Sequence, residues 1–399
     1  MWKTVKLGDV CTIYNGGTPK SKTKSYWEGD IKWLTPKDMG KLDGKFVSDT
    51  ARKITHDGLN NSSAKLVPAN SVILSCRAPI GHVFINECDM SFNQGCKGLI
   101  PSNEILVEYL YYFLFSSKQL LNDLGKGTTF KEISSKTLSN VSFAYPPLAE
   151  QERIVAKLDA AFAEIDEAIN AAVAKENEVQ KLKASLLSSS FSGDAVMWKT
   201  MKLGDICQIQ PKKAQVKARL KDRDEVSFMP MKDLGIQSMY PISTQIKKLE
   251  RVYNSYTYFE DNDILLAKIT PCFENGKLGI ASNLVNGVGF GSSEYIVLRC
   301  SEKVIPQFIY FCLNQSSFRT SGKNQMSGAV GHKRVPKEYI ENYKIYLPPL
   351  LDQERIVAKL DAADSEFRNV NESIAISKAN YLALKSAILA QELKLSEAA

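Results

Sequence analysis

The chain has 399 residues, of which 44% are hydrophobic and 24% charged; this balance excludes a disordered chain and leaves room for two or three domains. Fifty-one Lys and Arg stand against 44 Asp and Glu, giving +7, a surplus too mild to name a polyanionic partner until its distribution is known. No apolar run approaches the ~20 residues of a membrane helix, and Met1-Trp2-Lys3-Thr4-Val5-Lys6 leads into no signal-type stretch, so a cytoplasmic protein without membrane contact is expected.

Leu7 to Ile13 reads as a strand, followed by the turn Asn15-Gly16-Gly17-Thr18-Pro19. Ser71-Val72-Ile73-Leu74-Ser75 reads as a second strand, and Val107 to Phe115 as a helix whose many aromatics belong to a core. A small-residue basic loop follows, Gly125-Lys126-Gly127-Thr128-Thr129-Phe130-Lys131. Pro146-Pro147 then punctuates the entry into a long helix. There Ile154, Leu158, Ala161, Ile165, Ala168, Ala172, Lys175, Val179, Leu182 and Leu186 step by four and three, a coiled-coil seam.

A short link, Phe191 to Val196, opens a second globe with the same plan. Its strands include Leu203 to Ile209 and Asp263-Ile264-Leu265-Leu266-Ala267, its aromatic helix is Phe308 to Leu313, and its basic loop is Ser327-Gly328-Ala329-Val330-Gly331-His332-Lys333-Arg334. After Pro348-Pro349 a second seam runs through Ile356, Leu360, Ala363, Phe367, Val370, Ile374, Ser377, Tyr381, Leu384 and Ile388. Lys175 and Ser377 take equivalent mid-seam places, where a polar residue fixes register.

The chain is internally duplicated. MWKTVKLGDVCTI at 1–13 returns as MWKTMKLGDICQI at 197–209, and PPLAEQERIVAKLDAA at 146–161 returns as PPLLDQERIVAKLDAA at 348–363. Between these stretches the sequences diverge widely, so the frame is duplicated and its content is not. The first helix ends where the second globe begins, and the second helix starts where that globe ends. The helices are therefore expected to run antiparallel, with the second ending beside Met1 as the first ends beside Met197. About 40 helical residues span at most roughly 60 Å. Residues 150–190 carry a net −3 and 351–396 a net −1, which leaves +11 on the rest, almost all of it the globes. Basic globes flanking a mildly acidic rod suit two grips on one polyanion.

Motifs for catalysis are missing. There is no G-x-x-x-x-G-K-[ST] and no G-x-S-x-G. The eight scattered cysteines include no C-x-x-C, and His56, His82 and His332 have no metal-ligand spacing, so no metal site is expected. Gly287-Val288-Gly289-Phe290-Gly291-Ser292 opens no clear helix, and neither Pro-Pro step follows the Asn or Asp of amino-methylating enzymes. The pattern is that of a reader, not a catalyst.

The doubled P-P-L-x-x-Q-E-R-I-V motif, the paired starts Trp2 to Asp9 and Trp198 to Asp205, and Asn15-Gly16-Gly17-Thr18-Pro19 closely resemble the specificity (S) subunit of type I restriction–modification systems. The resemblance covers nearly the whole chain. It implies an α+β fold: two globular mixed α/β target-recognition domains, 1–147 and 197–349, separated by a pair of long antiparallel coiled-coil helices, 148–191 and 350–396, in a pseudo-two-fold cyclic repeat. Each globe would read one half of an asymmetric, interrupted double-stranded DNA target. The helices would set the spacer and bind methyltransferase (M) subunits, expected to number two, with restriction (R) subunits where the system has them. The chain itself would carry no cofactor; S-adenosylmethionine, ATP and Mg belong on the partner subunits.

The DNA-contact candidates are Lys20, Lys22, Arg77, Asn93, Gln94, Thr128, Thr129 and Lys131 in the first globe. In the second they are Lys212, Lys213, Lys268, Ser292, Ser293, His332, Lys333 and Arg334. Lys and Arg suit phosphates, and Asn, Gln, Ser and Thr suit phosphates or base edges. Apolar residues off the seam, Val155, Phe162, Ile169 and Val173 on the first helix and Ile376, Leu382, Leu389 and Leu393 on the second, are candidates for docking a partner, since two helices cannot bury two faces on each other. The competing readings are a coiled-coil scaffold that binds proteins and no DNA, and a methyltransferase with its own active site.

Overall fold

The two Pro-Pro steps release helices of equal length, Leu148–Ser190 and Leu350–Glu392, 43 residues each. They are the longest elements of the computed structural model, which describes residues 1–127, 131–191, 198–236, 238–242, 245–329 and 331–393. The chain forms two compact units. One takes residues 1–172 and the C-terminal residues from 375; the other takes residues 173–374. Each unit therefore holds one globe and a portion of both long helices.

In the first unit, strand Lys3–Lys6 pairs antiparallel with Ser142–Tyr145. A five-stranded sheet runs in the order Cys11–Asn15, Cys96–Pro101, Val72–Ser75, Val83–Asn86, Phe46–Val47. A four-stranded sheet runs in the order Lys53–Ile54, Trp27–Leu34, Met90–Phe92, Leu66–Val67. Helix Val107–Ser116 is mainly apolar, and its residues 109–114 are all buried. Tyr109, Leu110 and Leu114 join Leu7, Phe143, Ile154 and Leu158 in the main core.

The second unit repeats this plan despite its unlike sequence. Strand Lys199–Lys202 pairs with Lys344–Leu347. One sheet is ordered Cys207–Ile209, Tyr295–Cys300, Ile264–Ala267, Leu278–Ile280, and the other Gln245–Lys248, Glu225–Met229, Val288–Gly291, Thr257–Glu260. Both second sheets share a parallel central pair, Trp27–Leu34 with Met90–Phe92 and Glu225–Met229 with Val288–Gly291. The duplication thus extends through the divergent interior, where central strands such as Val72–Ser75 and Ile264–Ala267 are buried at every position. Helix Pro306–Asn314 starts on a proline at a position where no amide partner is needed.

Leu7 to Ile13 is not one strand. Leu7–Val10 is a helical turn and Cys11–Asn15 the strand; Leu203–Ile206 and Cys207–Ile209 repeat the break. The carboxylate of Asp9 accepts the Lys6 amide at 3.1 Å, which caps the turn. Leu7 and Val10, three apart, both reach the core.

The repeated Gln of Q-E-R-I-V is a fastener. Gln151 is fully buried; its Oε1 accepts the Leu106 amide at 2.8 Å, and its Nε2 donates to the carbonyls of Glu104 and Pro146, each at 2.8 Å. Gln353 does the same for the Ile305 amide (3.0 Å) and the Lys303 and Pro348 carbonyls. Each long helix is thereby pinned to the segment that starts the aromatic helix.

Within the first unit the two helix portions run antiparallel: Lys157 meets Glu392 at 2.6 Å and Asp166 meets Lys385, so one chain climbs as the other descends. The end of the second helix enters this unit's core through Leu389 and Leu393, against which Trp2 packs. In the second unit Lys183 meets Asp364 at 2.6 Å, and Phe191 joins the core against Phe308. Met197 lies outside the described residues.

The seam keeps the expected residues inward along both helices except at Lys175, Leu182 and Leu384. Ile154, Leu158 and Ile165 are buried and Val179 and Leu186 half-buried, but Lys175 is exposed and Leu182 is 61% exposed, while their neighbours Glu176 and Lys183 turn inward. On the second helix Leu384 is exposed and Lys385 half-buried. A helix of 3.6 residues per turn drifts from a strict heptad by ~20° per repeat. At this point the half-buried place falls to Glu176 in place of Lys175.

Candidate nucleic-acid interface

In the first globe, close backbone contact gathers three loops. A Cβ on Gly16 would lie 2.0 Å from the Asn93 carbonyl oxygen, so only glycine lets residues 15–18 run against 92–95. Thr18 then sits beside Asn93 and Gln94: the Asn93 amide donates to its hydroxyl at 3.0 Å, and the hydroxyl bonds Gln94 Oε1. Asn93 Oδ1 also accepts the Gly95 amide at 2.8 Å, closing a side-chain turn. The Gly95 carbonyl receives the amides of Cys76 and Arg77. Ile133 donates to the Cys76 carbonyl at 2.9 Å and Ala78 to the Lys131 carbonyl at 3.3 Å. Arg77 grips Glu132 through Nε and Nη2 at 3.1 and 2.8 Å.

The second globe builds the same frame from other side chains. Ser292 Oγ accepts the Glu294 amide at 3.2 Å, the counterpart of the Asn93 turn. The Glu294 carbonyl receives the Lys268 amide, Val335 donates to the Lys268 carbonyl, and Thr270 donates to the Lys333 carbonyl, each at 2.9 Å. Arg334 stands where Glu132 stands in the first globe and forks onto Glu294 at 2.9 and 2.7 Å. That guanidinium, against the opposing effect of burial, holds the Glu294 carboxyl below its ordinary value.

The frame brings Arg77, Asn93, Gln94 and Lys131 onto one surface, and Lys268, Ser292, Ser293, Lys333 and Arg334 onto the other, with His332 exposed beside them. Gln94, Lys131, Ser293 and Lys333 are exposed, and the Gln94 side chain accepts from the Thr18 hydroxyl. Asn93 and Ser292 spend their side chains on turns, and Arg77 and Arg334 are held by carboxylates, so these four act first as scaffold. Lys20 and Lys22 are exposed on the loop after Pro19. Lys212 is exposed as well, but Lys213 is tied to the Tyr253 carbonyl and lies over its ring at 4.8 Å, with Lys217 over the same ring at 4.6 Å. Thr128 and Thr129 lie outside the described residues.

Two groups escaped the sequence reading. Arg52 stacks 3.7 Å from the Trp27 ring, which meets Trp33 edge-on at 5.1 Å. The spacing of the two tryptophans on one strand was the available signal. Lys97 is buried with its ammonium on Asn15 Oδ1 (2.6 Å) and Ser135 Oγ (3.1 Å); nothing in the local sequence marks it.

A family model described as the type I restriction modification DNA specificity domain matches residues 1–175 and again 195–378. The chain belongs to this family. A member from Methanocaldococcus jannaschii, the MjaIX specificity subunit, is 38% identical over 160 residues, which is 39% of this chain and 37% of that one. The EcoAI specificity subunit of Escherichia coli is 42% identical over 164 residues, 41% of this chain and 27% of its own. These matches thus span well under half of each relative. The StySPI specificity subunit of Salmonella potsdam aligns over 94% of this chain and 85% of its own length at 23% identity. Among solved structures, a chain of a type I restriction–modification assembly superposes with a TM-score of 0.76 at 20% identity, covering 98% of this chain and 97% of that one. The HsdS subunit of Thermoanaerobacter tengcongensis gives 0.56 at 20% identity, covering 99% and 97%. These two likenesses concern the fold.

The residues set aside for docking in this specificity-family chain divide in two. Val155, Leu389 and Leu393 are buried in the first unit's own core, and Phe162 packs edge-on against Tyr112 at 5.6 Å. These four pack on the chain's own globe, Leu389 and Leu393 because the second helix ends within that core. Ile169 is half-buried, Val173 is exposed, and Ile376 and Leu382 are 55% and 59% exposed. No described helix is long and apolar enough to cross a membrane.

Proposed function

We propose that this chain is the DNA-reading subunit of a type I restriction–modification complex, each globe reading one half of a bipartite target. The observation that carries it is the doubled loop frame. The same backbone bonds recur in both globes, and each frame lifts an exposed lysine, Lys131 or Lys333, from one position. Backbone bonds do not depend on side-chain identity, so the frame holds its shape while the exposed side chains differ. Unlike side chains on like frames suit two unlike half-sites. Lysines would neutralise phosphates and supply salt-dependent affinity; Gln94 and Ser293 would face base edges, each good contact worth ~1–3 kcal/mol of discrimination.

The antiparallel helices would make the distance between readers part of the recognised sequence. Methyltransferase subunits would dock on apolar residues that the helices leave in solvent, Leu182, Ile376 and Leu382. Methylation and cleavage, with their S-adenosylmethionine, ATP and Mg, would belong to partner subunits and not to this chain. Methylome sequencing of cells expressing the chain with its cognate methyltransferase subunit tests this. The expected result is one asymmetric, interrupted motif that disappears when this chain is omitted. A motif that persists without the chain, or that is continuous, would overturn the reading.

A further inference from the structure

The second unit contains a cavity of about 330 Å3 between the helix segments 180–188 and 360–367 and the end of the aromatic helix. That volume falls at the lower end of small-ligand sites. The duplication shows what the first unit puts in the corresponding place. The Gln fasteners align Leu106 with Ile305, so Tyr111 corresponds to Tyr310, Tyr112 to Phe311 and Phe115 to Asn314. The long helices, equal in length, align Phe162 with Asp364 and Lys385 with Lys183. In the first unit Phe115 stacks on Tyr111 at 5.7 Å, Phe162 meets both Tyr112 and Phe115 edge-on, and the Lys385 ammonium lies 4.7 Å over the Phe162 ring. The second unit replaces the two phenyl rings by Asn314 and Asp364 and leaves the space open.

The open space is not merely a gap. Tyr310, Phe311 and Phe367 keep aromatic walls around it. Asp364 is neutralised by Lys183 at 2.6 Å and Arg368 at 3.5 Å. Arg319 also lines the cavity, donates to the Asn314 carbonyl at 2.7 Å, and has no carboxylate in ion-pair range among the described residues. A half-buried guanidinium with no acid is a site for an anion, since a charge removed from water needs a counter-charge.

The geometry points to a ligand site here for a planar aromatic monoanion, an aryl carboxylate whose rings take the place of the missing phenyl groups and whose carboxylate meets Arg319. Bound there, it would tie both helix segments to the aromatic helix. The site is independent of the DNA reading, and its test uses no DNA.

The probe is 2-naphthoate, titrated calorimetrically into the full chain, beside the neutral 2-naphthamide and the non-aromatic cyclohexanecarboxylate. One 2-naphthoate should bind per chain, and the two analogues at least tenfold more weakly. Arg319→Gln should weaken 2-naphthoate roughly 10- to 100-fold, as loss of a charged hydrogen bond does. The double variant Asn314→Phe, Asp364→Phe should rebuild the plug of the first unit, abolish binding and raise the melting temperature. Absence of 2-naphthoate binding, equal binding of the amide, or binding that survives Arg319→Gln would overturn the assignment. Should the double variant fail to fold, Arg319→Gln decides the matter alone.

Discussion

Replacing Gln151 by Ala removes three hydrogen bonds from a fully buried site. The Leu106 amide and the carbonyls of Glu104 and Pro146 each lose a partner that now stands at 2.8 Å. At about 1 kcal/mol net per bond, the loss is ~3 kcal/mol, and at 1.36 kcal/mol per decade that is on the order of a hundredfold in the local opening equilibrium. The start of the aromatic helix should feel it first, because its own first amides have no intrahelical acceptor. Amide exchange followed by mass spectrometry, under conditions where reclosing outruns exchange, should show residues 105–110 exchanging ~100-fold faster in Gln151→Ala. Peptides of the second globe should be unchanged. Gln151→Glu keeps an acceptor for Leu106 but sets a carboxylate oxygen against two carbonyls, so it should not rescue protection. Exchange within threefold of the parent chain would refute the fastener role, as would rescue by Glu.

Further outcomes follow from the same contacts. Lys131→Ala or Lys333→Ala should weaken duplex binding by the assembled complex and lower the salt slope by about 1; an unchanged slope would remove that lysine from the interface. Ile376→Asp with Leu382→Asp should end co-purification with the methyltransferase subunit while circular dichroism stays unchanged, since both side chains lie in solvent; retained co-purification would place the docking face elsewhere. The Glu294 carboxyl titrates below its ordinary value because of Arg334, so the stability it adds is present above the unfolded value of ~4.3 and is lost as pH falls through the lower folded value. Glu294→Gln should therefore be less stable to urea than the parent chain at about pH 6, with the gap closing as pH falls through the lowered folded value. A gap that persists at the acid end would contradict this.

Much of the fold was legible because duplication prints the same fasteners twice. The Pro-Pro steps, the long helices and the buried aromatic helices all followed from pattern. The helical turn at Leu7–Val10 did not, because a Leu-x-x-Val spacing over four residues fits a strand start as well as one helical turn. The departures at Lys175, Leu182 and Leu384 were hidden by an assumed strict heptad, from which a straight helix drifts by ~20° per repeat. Of the docking candidates, Val155, Phe162, Leu389 and Leu393 pack on the chain's own globe, which an apolar row on a helix does not distinguish from a partner's surface.

The binding loops were legible as backbone and opaque as chemistry. Residues 132 and 334 hold one position in the two frames, each answering the residue across a two-bond bridge to 126 or 327. One is Glu132, gripping Arg77; the other is Arg334, gripping Glu294. The ion pair is kept while its charges trade places and its partner moves to a different loop. Side chains in one globe therefore do not predict their counterparts in the other, even where the backbone bonds coincide within a few tenths of an ångström. What duplication preserves is the set of amide and carbonyl pairings, which tolerate any side chain pointing outward. That tolerance allows the exposed rim of each globe to change without unfolding the loops beneath it.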